Sequence, residues 1–179
     1  MGILSGCMRW VCLILVCGCV LLSFAGCGGR VSALPDRLGK AFCATLVWER
    51  GGVLLRGELV ADRRGESGTR EMTLRLSAPD ALAGICARQT EEGITMTLDG
   101  EPSEAIPADG LMLPALLLTA EGVLTDLCNV EEGGRRLRLA EGTYGGERTA
   151  YYFSLPEGIP VRLVWGELSV EILNFKERS

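Results

Sequence analysis

Phe42-Cys43-Ala44-Thr45-Leu46-Val47-Trp48-Glu49-Arg50-Gly51-Gly52 sets the reading of the whole chain. Side chains alternate across an extended backbone, so Phe42, Ala44, Leu46 and Trp48 share one face while Cys43, Thr45, Val47 and Glu49 share the other. A period of two with one apolar face is the pattern of a half-buried strand. Arg50-Gly51-Gly52 then reads as a hairpin turn.

The same period recurs outward from this stretch. A second strand runs from Val53 to about Asp62, and the polar loop Arg63 to Gly68 leads to a third, in which Met72, Leu74 and Leu76 alternate with Thr73, Arg75 and Ser77. Ala78-Pro79-Asp80-Ala81-Leu82 reads as one helical turn with proline at an early position, where no N–H is needed. Ile85 to Thr90 and Ile94 to Asp99 pair across Glu91-Glu92-Gly93, with Ile94, Met96 and Leu98 on one face. Alternation breaks at Leu111 to Leu118, a dense apolar stretch headed by a polar loop with Pro107, Asp109 and Gly110, and the reading there is a short helix starting near Pro114. It resumes with Leu137 and Leu139, with Tyr151, Phe153 and Leu155, with Val161, Leu163 and Trp165 after Pro160, and with Leu168, Val170 and Ile172. About nine strands and one or two helical pieces give a mainly β, α+β domain built on one curved antiparallel sheet.

The N-terminal segment follows a different grammar. Arg9, the apolar run from Trp10 to Leu22 and the small pair Ala25-Gly26 before Cys27 supply the basic start, apolar middle and cleavage site of a secretory leader, with the cysteine of a bacterial lipobox as first mature residue. Phe24 stands where such leaders usually carry leucine, and two starts fit, Met1 and Met8. Counted from Trp10 on to Ala25 the apolar stretch is about 16 residues, short of the roughly 20 that cross a bilayer. The organisation expected is a signal peptide over 1–26, a lipidated Cys27 and tether over 27–40 with a helical turn opening at Pro35, and a domain over 41–175. The domain would sit outside the cytoplasm, lipid-anchored to the outer face of the cytoplasmic membrane, or at the outer membrane in a Gram-negative host.

Composition narrows the chemistry. Lys and Arg number 18 against 23 Asp and Glu, a net charge of −5, so nothing points to nucleic acid or to anionic headgroups, and membrane contact falls to the lipid. Of eight cysteines, Cys7, Cys12, Cys17, Cys19 and Cys27 lie in or at the end of the leader, leaving Cys43, Cys86 and Cys128. Their odd number and wide spacing argue against a redox or zinc motif and for small buried hydrophobes, with room for one oxidised pair. No histidine is present, which removes Ser-His-Asp and Cys-His catalysis. The adjacent carboxylates Glu91-Glu92 and Glu131-Glu132 read as exposed hairpin tips, and Gly65-Glu66-Ser67-Gly68 lacks the spacing of a nucleophile elbow. Neither catalytic nor metal-ligating residues nor a cofactor are expected.

Several features together resemble the LolA/LolB-like superfamily of extracytoplasmic lipoprotein carriers: the lipobox, the first strand Phe42-Cys43-Ala44-Thr45-Leu46, the strand closing into Ser77-Ala78-Pro79-Asp80, the leucine-rich mid-chain helix, and the ending Ile159-Pro160-Val161-Arg162-Leu163 through Val170-Glu171-Ile172-Leu173-Asn174-Phe175. The resemblance implies an incomplete β-barrel whose concave apolar face is covered by helices and accepts acyl chains. Phe42, Leu46, Trp48, Leu74, Leu76, Met96 and Leu98 would then line that face, with Leu116, Leu117 and Leu118 as a lid. The same residues packed straight onto the helix would make an ordinary core, and alternation does not separate the two. The resemblance also allows a non-catalytic scaffold that binds a cell-envelope or cell-wall enzyme, as in spore-forming bacteria. The partners expected are the membrane, through the N-terminal lipid, and either an acyl ligand or an envelope protein.

The lipobox reading has a direct consequence, since a diacylglyceryl group supplies the two chains that stable anchoring requires. Cys27→Ala is expected to abolish metabolic labelling with a radioactive fatty acid and to release the protein from the membrane fraction. Persistent labelling of the variant would remove the lipobox.

Overall fold

The computed structural model describes residues 37–62, 70–103, 108–120 and 124–178. The chain divides into two units, Met1–Arg30 and Val31–Ser179, and the described residues all belong to the second. The leader, the lipobox, Pro35 and the loop 63–68 lie outside them.

Eleven strands form one antiparallel sheet: β1 (Phe42–Arg50), β2 (Val53–Ala61), β3 (Met72–Ala78), β4 (Ile85–Thr90), β5 (Gly93–Leu98), β6 (Glu101–Pro102), β7 (Thr125–Glu132), β8 (Arg135–Tyr144), β9 (Glu147–Ser154), β10 (Pro160–Trp165) and β11 (Leu168–Glu177). Their order is β6-β5-β4-β3-β2-β1-β11-β10-β9-β8-β7, two meanders joined where the first strand pairs with the last. The sheet is curved and unclosed, an incomplete barrel. Its edges, β6 and β7, are consecutive along the chain and are connected through the helix α1 (Ala108–Thr119).

The β1–β2 turn shows why these residues make hairpins. Arg50 pairs with Val53, leaving a two-residue loop of Gly51 and Gly52 at φ 58° and 78°. Those left-handed values match the twist of the strands and favour glycine at both positions. Gly133-Gly134 between β7 and β8 and Gly145-Gly146 between β8 and β9 repeat the arrangement.

Register then lays the apolar residues in rows across the inner face. Leu55, Trp48, Val170, Leu163, Tyr151 and Ala140 are successive partners across six strands, and all are buried. A second row runs Ala44, Leu59, Leu74, Ala87 and Met96. Full burial of each large side chain is worth roughly 1.5–3 kcal/mol, which makes these rows the main stabilising element. Buried Arg70 locks the start of the domain to the sheet: it donates through Nε to the Asp62 carbonyl at 2.6 Å, through its two terminal nitrogens to the carbonyls of Leu38 and Lys40, and lies 5.0 Å over the Phe42 ring.

The structure revises several expectations. The helix begins at Ala108, so Asp109 and Gly110 are helical and Pro114 sits inside it. Pro114 removes one backbone hydrogen bond, yet burial of Leu111 and Met112 carries the helix through it. Among the described residues there are eleven strands where about nine are expected, because β6 has two residues and β7, Thr-Asp-Leu-Cys-Asn-Val-Glu-Glu, has no apolar alternation; an edge strand needs ladder hydrogen bonds more than a buried face. Leu155 lies in the turn after β9, and Cys128 is exposed, while Cys43 and Cys86 are half-buried and all three are free thiols. The hairpin tip is Gly133-Gly134, and Glu132 is a strand residue whose carboxylate holds Arg162. The 3-10 turn Asp80–Leu82 behind Pro79 and the β4–β5 hairpin at Glu91-Glu92 form as expected.

Gly57, between Leu46 and Leu76 in register, marks where this packing has no slack. A Cβ there would meet Leu74 Cδ1 at 2.9 Å and the Arg75 carbonyl at 3.1 Å. Gly57→Val is expected to destabilise the domain by about 1–3 kcal/mol, the usual range for overpacking, read as a lowered urea midpoint at unchanged slope. An unchanged midpoint would contradict the tight β1–β2–β3 packing.

Candidate functional site

The candidate site is the inner face of the sheet together with α1. The chain between the two edge strands carries α1, and α1 packs on this face: Tyr151 Oη donates to the Leu117 carbonyl at 2.9 Å, and the Thr119 hydroxyl, which donates to the Ala115 carbonyl at 2.9 Å, sits 3.1 Å from Met72 Sδ. The helix is apolar around its circumference. Leu111, Met112, Ala115, Leu117 and Leu118 are buried, and Leu113 and Leu116 are half-buried against the same cluster.

Phe42, Leu46, Trp48, Leu74, Leu76, Met96, Leu117 and Leu118 all join one buried cluster, with Leu116 at its margin. Leu98 does not. It is 43% exposed at the end of β5, beside the two-residue edge strand β6, where too little sheet remains to cover it. The sequence reading also leaves out half the face. Thr149, Tyr151 and Phe153 of β9, Leu163 and Trp165 of β10, and Val170 and Ile172 of β11 are carried to the same side. Their alternation is visible in the sequence; the β1–β11 pairing that brings them opposite β1 is not.

The polar content of this face is small and unusual. Among the described residues Trp48 Nε1 and Trp165 Nε1 are buried donors with no hydrogen-bond partner, and Thr149 Oγ1 is buried beside the Tyr151 hydroxyl. Trp48 itself is 2% exposed. A buried donor without an acceptor costs about 1–3 kcal/mol, so two of them on one apolar face form a distinctive chemical feature. Register places Trp165 opposite Thr149, and Trp165 opposite Leu168, two residues from the Val170 that pairs with Trp48. The three therefore sit towards the β1–β2 and β10–β11 turns. Burial pushes the Tyr151 phenol above its ordinary pKa, with the nearby Thr149 hydroxyl tempering the shift; it stays neutral and serves as a donor to α1.

With α1 in place this face is a buried apolar interior that carries few polar groups. Among the described residues no three of Cys, Asp and Glu come together to hold a metal ion, and no helix is long and apolar enough to cross a membrane.

No protein-family model matches the sequence, and no curated protein matches it. Solved structures do. An uncharacterized conserved protein from Thermus thermophilus superposes with a TM-score of 0.52 over 82% of this chain and 83% of its own, at 15% identity. What is shared is the fold. Weaker likenesses include the Pseudomonas aeruginosa MucA/MucB complex, with a TM-score of 0.41, 14% identity and 82% of this chain against 55% of that one. A domain from Vibrio parahaemolyticus assigned to outer membrane lipoprotein sorting matches with a TM-score of 0.41 at 7% identity, over 78% of this chain and 86% of that one.

Proposed function

We propose that this chain is a non-catalytic extracytoplasmic lipoprotein, anchored through Cys27, whose inner sheet face binds a hydrophobic ligand, either a lipid or the acyl chains of another lipoprotein. The observation that carries this reading is the pair of unpartnered buried donors, Trp48 Nε1 and Trp165 Nε1, on an otherwise apolar face. An ester-linked acyl chain supplies what they lack: a carbonyl oxygen to accept from an indole N–H, and methylenes to lie along Leu46, Leu74 and Leu163. Apolar pockets with a few convergent polar groups are the common form of small-ligand sites.

In the closed state α1 occupies the face, and Phe42, Leu46, Leu74 and Leu117 have no exposed surface. Ligand entry therefore requires α1 to shift. Its apolar circumference suits such a shift, since whichever side turns towards an acyl chain is apolar, and Pro114 leaves it one backbone hydrogen bond short.

A second reading takes that closure at face value. If α1 fills the face permanently, the domain is a tethered scaffold that binds a cell-envelope or cell-wall enzyme through its outer surfaces.

The two readings separate on the domain from Ser32 onward, titrated with a fluorescent fatty acid and unfolded in urea. Saturable binding by the unaltered domain is expected. Trp48→Phe keeps an aromatic ring and removes the N–H, so it should weaken binding about tenfold, the worth of one hydrogen bond to a charged or ester oxygen, while stability falls by only about 1–2 kcal/mol. A well-folded domain that binds no fatty acid at any concentration would leave the scaffold reading standing.

A further inference from the structure

The outer face of the sheet carries a second feature, independent of anything bound on the inner face. β10 begins at Pro160, with a bulge between Pro160 and Arg162, and its pairing with β11 ends at Arg162 opposite Glu171. β11 continues to Glu177, paired beyond this point only with β1. The sheet is thus split. From Ile172 onward one edge of β11 presents main-chain N–H and C=O groups with no strand beside it, even though β11 is central to the strand order.

The split opens into a recess of about 590 Å³. Its apolar lining is Leu137, Leu155, Val161, Ile172 and Leu173. Leu137 is buried yet lies outside the inner core cluster, and Leu173 is 41% exposed. Arg162 is fixed at the mouth: its terminal nitrogens reach the two carboxylate oxygens of Glu132 at 2.7 Å each, and its guanidinium lies 4.0 Å from the centre of the Tyr152 ring. That pair neutralises both partners. The other charges lining the recess are Arg135, Arg136 and the carboxylate of Glu171. Among the described residues neither Arg135 nor Arg136 has a side-chain hydrogen bond or ion pair, so an acidic chain of net charge −5 here keeps two uncommitted cations beside an apolar hollow.

We infer that this split is a docking site for an extended peptide segment of a partner protein, one whose apolar side chains alternate with acidic ones. Such a segment would add as a strand along the free edge of β11 at Ile172 to Glu177, its main chain satisfying the open groups, as in β-augmentation, where backbone hydrogen bonds give affinity and side-chain pockets give specificity. Its apolar side chains would enter the recess between Leu137 and Leu173, and its carboxylates would meet Arg135 and Arg136, for which paired N–H donors suit carboxylate geometry. A free amphiphile would use the recess and the cations and leave the backbone of β11 unused, which is why a peptide is the occupant the geometry favours.

The test uses the full-length chain in detergent and fluorescence anisotropy of a labelled, amidated peptide of alternating valine and glutamate. Saturable binding is expected, weakened at least tenfold by Leu173→Asp, by the double variant Arg135→Glu with Arg136→Glu, and by N-methylation of alternate peptide bonds in the probe. Urea midpoints of the variants should match the unaltered chain, and Trp48→Phe should bind the peptide normally, which separates this site from the inner face. Binding of a valine–lysine peptide as tight as the valine–glutamate one, indifference to N-methylation, displacement of the probe by laurate, or no saturable binding would each overturn the inference.

Discussion

The antiparallel pairing of β1 with β11, which sets Trp48 against Val170 and Phe42 against Glu177, is the constraint from which the other features follow. It brings the two ends of the domain to the middle of the sheet, so the edges must come from mid-chain. β6 and β7 are those edges, consecutive in sequence and at opposite ends of the strand order, and the segment between them carries α1. Leu111 to Leu118 is apolar all round because it packs on the apolar face and covers it. The same pairing unites Phe42, Leu46 and Trp48 with Leu163, Val170 and Tyr151 in one interior. Contacts of such wide sequence separation close large loops, which makes this a slow-folding topology.

The consequences for function differ on the two faces. Inside, the rows of register produce a continuous apolar surface, and two residues that interrupt it, Trp48 and Trp165, carry indole N–H donors without acceptors among the described residues. Ordinary cores satisfy such groups, so their presence beneath α1 is the physical basis for the ligand proposed on this side. Outside, the long β11 outlasts the short β10, and the sheet parts beside Arg162 and Leu173. One face thus offers apolar area and the other offers backbone, and each calls for a different kind of partner.

The strands most legible in the sequence are those that are half-buried. Phe42 to Trp48, Met72 to Leu76 and the Ile85 to Leu98 hairpin can be placed because burial on one face writes a period of two into the residues. β7 is invisible for the opposite reason: as an edge strand it buries little, so Thr125 to Glu132 carries no period. The helix start is misread because Pro114 looks like a first-turn residue, and only the packing of Leu111 and Met112 explains why the helix begins earlier. Of the site, the β1 and β3 contributions are legible as faces, while those of β9 to β11 require knowing that the last strand pairs with the first. Leu98 shares its face with Met96, yet sits where the sheet runs out. The ion pair of Glu132 and Arg162 joins residues 30 apart in sequence and leaves no local signature.

The central claim is that the inner face is a binding site under a movable helix, and the most direct measurement is native mass spectrometry of the protein extracted gently from its own membrane. The account predicts a population heavier than the diacylated chain by the mass of one or more acyl lipids, retained through mild activation and lost when the protein is unfolded. A single species at the mass of the lipidated chain alone, across gentle conditions, would contradict it.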